Sequence, residues 1–378
     1  MKNRIYLSPP HLTGKESYFI NEALNANWPS VIGKHIDDFS SALSDYIDGK
    51  NIMLCNSGTS AIHLALSVIG VEKDDIVLTS TFTFVASVNP ITYVGATPVL
   101  IESEPETWNM SPQFLEKAIK DCLAKGVKPK AILLVHLYGM PAKLDKILEI
   151  AYKYDIPLIE DAAESLGSCY KKQQLGTFGI MGIYSFNGNK IITTGSGGAM
   201  VSKDMSLIEK AIFLSSQAKN DKPFYEHSSL GFNYQMTTLN AAMGLAQLEK
   251  INTYVSLRRR NFDFYKEALT PFGITFLEEP NDNYFSNRWI TTICLDAKIH
   301  KSTPLELKEV LEKENIESRL LWLPMHKQPL YKHLPYFGND FSGQLFKRGL
   351  CLPSGSNLSE ADLERIVSII KQIFSIKR

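Results

Sequence analysis

Short apolar runs alternate with amphipathic helical patterns through the first part of the chain. Helical spacing is seen in Ser111–Ala124 and Leu144–Tyr154, and further helices are predicted over Gly14–Asn25 and from about Ser57. Strands that alternate with helices favour a largely parallel sheet with ligands at the carboxyl ends of its strands. The predicted strands are Ile76–Thr79, Thr97–Ile101, Ala131–Val135, Pro157–Glu160, Gly182–Phe186 and Ala199–Ser202.

The pattern changes after about residue 250. A long helix is predicted through Arg258–Arg260, and the last helix has Ser359 and Asp362 in position to cap it. We therefore predict a large α/β domain over residues 1–250 and a smaller α+β domain over residues 251–378. The other elements predicted in the second domain are a strand over Ile290–Leu295, a helix over Pro304–Glu314 and a strand over Glu317–Leu321.

Charge and composition narrow the choice of partners. The 378 residues include 40 Lys and Arg and 40 Asp and Glu, without the basic surplus that is typical of nucleic-acid binders. The sequence shows no signal-peptide pattern, and no apolar run approaches the roughly 20 residues that span a bilayer, so we predict a cytoplasmic protein without a membrane partner. The five cysteines are scattered and form no CxxC pair, so neither a disulfide framework nor a metal site is predicted.

A lysine follows one predicted strand in a turn of small and polar residues. Lys190 lies within Tyr184–Gly198, where glycines let the backbone approach a ligand closely. A lysine in a partly desolvated cleft can act as an amine nucleophile and form a Schiff base with an aldehyde. Taken alone, the same pattern also fits a surface turn with a solvated lysine.

A carboxylate ends another predicted strand, since Asp161 directly follows Pro157–Glu160. Pyridoxal phosphate needs such a carboxylate to keep its pyridine nitrogen protonated, so that the ring can accept electrons. Asp161 precedes Lys190 by 29 residues, which is enough for one crossover and a return strand. The alternative is that Asp161 only caps the following helix.

Two further segments point to the same ligand. Asn56–Ala61 opens a helix, where N–H groups and hydroxyls suit a phosphate monoester, although such a segment also serves as a simple N-cap. Thr81–Phe84 supplies an aromatic ring that either stacks on a flat ligand or packs in the core. Together with Asp161 and Lys190, these segments predict a pyridoxal phosphate site.

The chain resembles the DegT/StrS-type family of sugar-nucleotide aminotransferases, which share fold type I of the pyridoxal phosphate-dependent transferases, the aspartate aminotransferase-like α/β architecture. The matching segments are Asn56–Thr59, Phe82–Ser87, Val135–Gly139, Ile159–Ala163, Lys190 with Thr193–Gly195, and Gly231–Tyr234. Within the family it is most similar to the UDP-bacillosamine-type 4-aminotransferases, through Tyr6–His11, Asn187–Thr194, Ser286–Trp289, Met325–His326 and Gly349–Gly355.

The resemblance implies roles for the matched positions. Lys190 bonds to the cofactor aldehyde and moves protons, Asp161 pairs with the pyridine nitrogen, and Phe84 stacks on the ring. Glu164 faces the ring hydroxyl, and Asn233 reaches the phosphate in the partner subunit of a homodimer. The remaining implied phosphate-binding residues are Gly58, Thr59, Ser60 and Ser185, and the implied substrate-binding residues are Trp28, Lys34, Asn187, Arg288, Trp289, Arg319 and His326.

The chain departs from the family at three places. Glu164 stands where many relatives have Gln, which adds a second carboxylate beside the cofactor and changes the proton balance there. Ser196 stands where many have Glu or Gly, and Arg319–Trp322 lacks a proline after the arginine. The last two differences concern the sugar contacts and not the cofactor site.

The resemblance implies transfer of an amino group from L-glutamate to carbon 4 of a UDP-linked 4-keto-6-deoxy (N-acetyl) hexose, for bacterial glycan synthesis. Two alternatives stay open. The first is an aminotransferase for another keto sugar, either GDP-linked or a 3-keto sugar. The second is a regulatory protein that binds pyridoxal phosphate without turnover, although the sequence has no basic tail or DNA-binding appendage that would support it.

Overall fold

A computed structural model describes residues 3–376 of the chain. In this range the helices are α1 (Glu16–Asn25), α2 (Lys34–Tyr46), α3 (Gly58–Val68), α4 (Val85–Tyr93), α5 (Pro112–Ala124), α6 (Leu144–Lys153), α7 (Met205–Ser215), α8 (Thr238–Leu248), α9 (Ile251–Leu269), α10 (Pro304–Lys313), α11 (Phe341–Arg348) and α12 (Glu360–Ile376). The strands are β1 (Asn51–Cys55), β2 (Ile76–Ser80), β3 (Thr97–Ile101), β4 (Ala131–Val135), β5 (Leu158–Asp161), β6 (Cys169–Tyr170), β7 (Gln173–Gln174), β8 (Met181–Ser185), β9 (Gly198–Ser202), β10 (Thr275–Phe276), β11 (Tyr284–Phe285), β12 (Thr291–Cys294), β13 (Arg319–Leu320), β14 (Tyr336–Phe337) and β15 (Gly349–Leu352).

The main sheet has eight strands in the order β1-β9-β8-β5-β4-β2-β3-β14. The strands from β8 to β14 in that order are parallel to their neighbours, whereas β9 runs antiparallel to both β8 and β1. The predicted, largely parallel α/β sheet is therefore confirmed, and its six predicted strands agree with the observed ones to within one residue at each end. The edge strand β1 was not predicted, because two of its five residues are only partly buried and the apolar run is short.

Capping residues explain where several helices begin. The Ser57 hydroxyl accepts a hydrogen bond from the Ser60 N–H at the start of α3. The predicted cap of the last helix is confirmed, because the Ser359 hydroxyl accepts from the Asp362 N–H while the Asp362 carboxylate accepts from the Ser359 N–H. Such reciprocal bonds satisfy backbone N–H groups that the helix itself leaves unpaired.

A second sheet lies in the C-terminal part, in the order β10-β12-β15-β13. Its core packs against α9, α10 and α12 through residues such as Tyr265, Leu307 and Ile366. The predicted strand over Glu317–Leu321 is shorter than expected, since only Arg319–Leu320 pairs with β15.

Two segments cross the predicted division at residue 250. Ile5 belongs to the core of the second sheet, and β14 pairs with β3 at the edge of the main sheet. The division itself stays a prediction, and the two parts are joined through these segments.

All five cysteines are free thiols. Over the described residues, no group of three or more His, Cys, Asp or Glu side chains is arranged to hold a metal ion. Within the same range, none of the helices combines the length and the apolar character needed to cross a membrane.

Candidate active site

A cavity of about 470 Å³ lies at the carboxyl ends of the central strands. Its wall is built from the ends of β4, β5 and β8, the starts of α3 and α4, and loops of the C-terminal part. This is where parallel α/β sheets bind ligands. The predicted site residues that line the cavity are Gly58, Thr59, Phe84, Asp161, Glu164, Ser185, Asn187, Lys190, Trp289 and Arg319.

Asp161 ends β5 and its side chain is held in place from two sides. One carboxylate oxygen accepts a hydrogen bond from the Ser87 hydroxyl at 2.6 Å, and the other accepts from the Ala163 N–H at 3.1 Å. Asp161 is only 5% exposed, and both of these donors are neutral groups. The buried negative charge is therefore suited to a cationic partner such as a protonated pyridine nitrogen.

Lys190 brings a primary amine to the same cavity. Its Nζ lies 4.0 Å from the centre of the Trp289 ring and 3.4 Å from Glu164 Oε1. The side chain is 12% exposed, so the amine is shielded from bulk water but faces the cavity. An amine held in this way is suited to reaction with an aldehyde.

Glu164 is a buried carboxyl group beside that amine. Its Oε2 accepts a hydrogen bond from the Tyr138 N–H at 2.7 Å. Burial raises the pKa of Glu164 to about 7, against the opposing effects of the Lys190 ammonium and the Tyr138 N–H. Glu164 can therefore gain or lose a proton near neutral pH.

This raised pKa predicts a pH dependence of stability that Glu164→Gln removes. Because the folded chain holds the Glu164 proton more tightly than the unfolded chain, the stability from this group is present below about pH 4.5 and is lost as the pH rises towards about 7. The free energy of unfolding of Glu164→Gln, relative to wild type, should thus increase by up to about 3 kcal/mol between about pH 5 and about pH 8. Urea denaturation of the cofactor-free protein at both pH values measures this difference. A difference that stays constant with pH, as expected for the exposed control Glu309→Gln, would contradict the prediction.

The N-terminus of α3 lines a part of the cavity that suits an anion. Ser57, Gly58 and Thr59 line the wall there, and Ser185 lies beside Gly58 at the end of β8. Helix N-termini and hydroxyls are common ligands of phosphate groups. Ser60 is not in the wall, because its hydroxyl and N–H both bond to the Ser57 hydroxyl at 2.7 and 3.0 Å.

Aromatic side chains form the outer part of the cavity. Phe84 is 52% exposed at the start of α4, and its ring centre lies 5.8 Å from that of Trp322. Trp322 in turn lies 6.3 Å from Trp289. Phe84 is thus placed to contact a flat ring in the cavity and is not a core residue.

Arg288 does not line the cavity, which argues against its predicted contact with substrate. It is 6% exposed, its guanidinium donates to the Leu277 carbonyl at 2.6 Å, and it pairs with Glu279 at 3.4 Å. The guanidinium also lies 3.7 Å from the centre of the Phe262 ring. Arg288 has a positive φ of 51°, and the next residue, Trp289, lines the cavity.

His326 also lies outside the cavity wall. One ring nitrogen is 2.8 Å from the Thr81 hydroxyl and the other is 3.1 Å from an Asp340 oxygen. The ring stacks on Tyr336 with 4.1 Å between centroids. Both ring nitrogens have hydrogen-bonding partners, and the bond to Thr81 links the C-terminal part to the end of β2. The position of His326 therefore argues against the predicted substrate contact.

Three other predicted residues are on the surface, away from this chain's own cavity. Trp28 is 58% exposed and its indole N–H donates to the Ile32 carbonyl at 2.7 Å. Lys34 pairs with Asp38 at 2.6 Å on α2, and Asn233 is exposed, with its main-chain carbonyl accepting from the Asn56 side-chain amide at 3.2 Å. The structure therefore does not bring these three side chains together with Lys190 within one chain.

Ser57, Ser87 and Trp322 line the cavity but were not assigned a role from the sequence. Ser57 and Ser87 lie in segments that match the family, Asn56–Thr59 and Phe82–Ser87. The sequence does not show, however, that Ser87 on α4 hydrogen-bonds to Asp161. Trp322 reaches the cavity from the C-terminal part, so its placement depends on tertiary packing. No sequence signal distinguishes it from a core tryptophan.

The sheet order and this set of side chains define the class of protein as a pyridoxal phosphate-dependent transferase of fold type I. The chain belongs to the DegT/DnrJ/EryC1/StrS aminotransferase family, whose sequence model matches residues 10–371. Enzymes of this family are aminotransferases that use pyridoxal phosphate. The resemblance drawn from the sequence is thereby confirmed.

Relatives match over almost the whole chain. EpsN of Bacillus subtilis, named as a pyridoxal phosphate-dependent aminotransferase, is 46% identical over 99% of this chain and 97% of its own length. GDP-perosamine synthase of Caulobacter vibrioides is 36% identical over 98% of both chains. A UDP-N-acetyl-3-dehydro-alpha-D-glucosamine 3-aminotransferase of Acidithiobacillus ferrooxidans is 31% identical over 84% of this chain and 83% of its own. The protein is therefore a sugar aminotransferase, and the regulatory alternative is set aside.

Solved structures share the fold over the same length. A DegT DnrJ EryC1 StrS aminotransferase from Brucella abortus has a TM-score of 0.89 and 29% identity, covering 96% of this chain and 95% of that one. The PLP-form of Spr1654 from Streptococcus pneumoniae, named as a sugar aminotransferase, has a TM-score of 0.89 and 25% identity, with 100% of each chain covered. These similarities confirm the predicted fold type and the cofactor.

The residues of the cavity fit pyridoxal phosphate. The buried Asp161 carboxylate, bonded only to neutral donors, suits the pyridine nitrogen, and the α3 start suits the phosphate. Phe84 is exposed on the wall where a flat ring would lie, and Lys190 presents an amine for the aldehyde. When bound, the cofactor supplies an aldehyde that bonds to amines and a protonated ring that withdraws electrons.

Proposed function

We propose that this protein transfers the amino group of L-glutamate to carbon 4 of a UDP-linked 4-keto-6-deoxy (N-acetyl) hexose. The products are 2-oxoglutarate and the UDP-linked 4-amino sugar, so an amine and a carbonyl are exchanged and no other oxidant or reductant is needed. The observation that carries the proposal is the single cavity in which the Lys190 amine, the Asp161 carboxylate and the start of α3 meet.

The proton transfers are assigned to Lys190. Its Nζ, as a free amine, removes the proton from the α-carbon of glutamate and later delivers a proton to carbon 4 of the sugar. Glu164 Oε1, 3.4 Å from this nitrogen, stabilises the ammonium form between the two transfers. Asp161 contributes by holding the positive charge of the ring nitrogen, so that electrons move away from the breaking C–H bond.

The sugar nucleotide is proposed to enter over the aromatic outer part of the cavity. Arg319 lines this region with a side chain that is 65% exposed, and Asn187 is exposed on the same wall. Arg319 is now paired with Glu317 at 2.8 Å, a surface contact that a diphosphate can replace at little cost. Trp322 offers an apolar face for the sugar ring.

A GDP-linked 4-keto sugar is the second candidate. The observation in its favour is the 36% identity to GDP-perosamine synthase over nearly the full length. The UDP-linked substrate is supported instead by the likeness of segments such as Tyr6–His11 and Ser286–Trp289 to the UDP-bacillosamine-type enzymes. A 3-keto sugar has weaker support, from a relative that is 31% identical.

The expected preference is tested by comparing the two nucleotide sugars at equal concentration. With L-glutamate as donor, kcat/KM for the UDP-linked 4-keto sugar should exceed that for the GDP-linked 4-keto sugar by at least about a hundredfold, because the two bases differ in size and in their hydrogen-bonding groups. UDP alone should also compete better than GDP. A higher kcat/KM for the GDP-linked sugar would replace the proposed substrate by the second candidate.

We further propose that the active form is a homodimer with shared sites. Large apolar side chains stay exposed near α1 and in the loop before α8, including Ile32 at 70% and Leu230 at 84%. Trp28, Lys34 and Asn233 belong to the same two regions and lie outside their own chain's cavity. A second copy of the chain that covered these regions would bury the apolar groups and receive the three polar or aromatic side chains.

A further inference from the structure

Trp289 contacts Lys190 in two different ways. Its ring centre lies 4.0 Å from Lys190 Nζ. Its indole N–H donates to the carbonyl oxygen of Asn189 at 2.7 Å, and this carbonyl belongs to the peptide bond that joins Asn189 to Lys190. Trp289 is only 2% exposed, so its ring is fixed by packing. One buried side chain therefore touches both the amine and the peptide that carries it.

The same carbonyl accepts a second hydrogen bond. The Ser8 hydroxyl, from the N-terminal segment, donates to the Asn189 oxygen at 2.8 Å. With two donors, both lone pairs of this oxygen are used, and the peptide plane from which Lys190 extends is held from two directions. Ser8 is 7% exposed, so water does not easily replace it.

Arg258 connects the two donors. Its Nη1 donates to the Trp289 carbonyl at 2.6 Å and to the Ser8 hydroxyl oxygen at 3.1 Å. Since a guanidinium can only donate, the Ser8 oxygen must accept from it, which directs the Ser8 hydrogen towards Asn189. Arg258 is 1% exposed, and both acceptors are neutral oxygens. A buried cation with such partners is costly to keep, and its two hydrogen bonds couple the Ser8 hydroxyl to the Trp289 backbone.

We propose that Trp289, Ser8 and Arg258 form a positioning network that fixes the Lys190 amine in the cavity, and that Trp289 acts on Lys190 and not on the sugar substrate. The inference rests on the proposed role of Lys190 as the reacting amine. It replaces the substrate-binding role that the resemblance implies for Trp289. Because Lys190 serves both the glutamate and the sugar half-reactions, loss of the network slows both.

The test compares Trp289→Phe and Ser8→Ala with matched controls. Trp289→Phe keeps an aromatic ring beside the amine but removes the indole N–H, and Ser8→Ala removes the second donor. Trp108→Phe is a buried Trp control outside the cavity wall, and Ser202→Ala removes a buried hydroxyl that also donates to a main-chain carbonyl. Thermal unfolding of all four variants identifies any that fail to fold.

The first measurement uses cofactor-free protein. The rate at which added pyridoxal phosphate bonds to Lys190, followed by visible absorbance, should fall by about tenfold in Trp289→Phe and in Ser8→Ala, since a reacting group that is held less precisely reacts more slowly. The second measurement follows each half-reaction separately in the loaded enzyme. Both half-reactions should slow by a similar factor, and the two controls should match wild type.

Two outcomes would contradict the positioning network, and a third would contradict the proposed role of Lys190 on which the network rests. If Trp289→Phe slows only the sugar half-reaction, Trp289 is a substrate contact and the network proposal is wrong. If both variants capture the cofactor and react as wild type does, the network has no positioning role. If Lys190→Ala keeps both half-reactions, the proposed function itself fails, whatever the network variants do.

Discussion

Lys190→Ala should abolish turnover and remove the visible absorbance that arises when pyridoxal phosphate bonds to a lysine. Lys190 is the lysine of the cavity wall, and its amine lies between Glu164 and the Trp289 ring. One amine is assigned both the attachment of the cofactor and the two proton transfers, so its loss removes both functions. The expected fall in kcat is at least about a thousandfold, which is within the range measured for such groups.

The control for this variant is Lys125→Ala, which removes an exposed lysine that directly follows α5 and pairs with Asp121 on that helix. It should keep wild-type turnover and absorbance. Lys190→Ala should still bind the cofactor without a covalent bond, because Asp161 and the start of α3 are unchanged. Wild-type turnover by Lys190→Ala, with the cofactor bound, would contradict the assignment.

Asp161→Asn should give the second-largest loss. The substitution keeps the size of the side chain but removes the negative charge that is placed for the pyridine nitrogen. Without that charge the ring nitrogen loses its proton more easily, and the ring withdraws fewer electrons from the breaking C–H bond. The glutamate half-reaction, followed by the change in cofactor absorbance after mixing, should slow by at least about a hundredfold.

Two further variants sharpen this prediction. Ser87→Ala removes one hydrogen bond to the Asp161 carboxylate but leaves its charge, so its effect should be several-fold and much smaller than that of Asp161→Asn. Asp121→Asn, on the exposed face of α5, should have no effect. Equal half-reaction rates in Asp161→Asn and wild type would mean that the carboxylate does not act on the cofactor ring.

Much of the fold follows from local patterns in the sequence. Several strands of the parallel sheet contain apolar runs, and the run is continuous in Ala131–Val135, which is typical of a strand that is buried on both faces. The short strands β13 and β14 carry no such pattern, because each pairs over only two residues and is placed by tertiary contacts. For the same reason, the sequence does not predict that β14, from the C-terminal part, pairs with β3 of the main sheet.

The sequence predicts site residues more easily at the ends of strands than in other parts of the chain. Asp161 and Ser185 lie at strand ends, so the parallel sheet brings them to one cavity with Lys190. Arg288 and Trp289 are neighbours in a matched segment, yet only Trp289 lines the cavity, whereas Arg288 has a left-handed backbone and packs its guanidinium on Phe262. No sequence pattern predicts such a turn at a non-glycine residue.

The most direct test of the proposed reaction follows the nitrogen atom itself. Purified protein with pyridoxal phosphate is given heavy-nitrogen-labelled L-glutamate and the UDP-linked 4-keto-6-deoxy N-acetylhexosamine, and the sugar product is examined by mass spectrometry and nuclear magnetic resonance. The predicted result is a UDP-linked sugar with the labelled nitrogen on carbon 4, formed together with 2-oxoglutarate and absent with Lys190→Ala. An unchanged UDP-linked keto sugar, in a preparation that aminates a different nucleotide sugar from the same labelled glutamate, would contradict the proposed substrate.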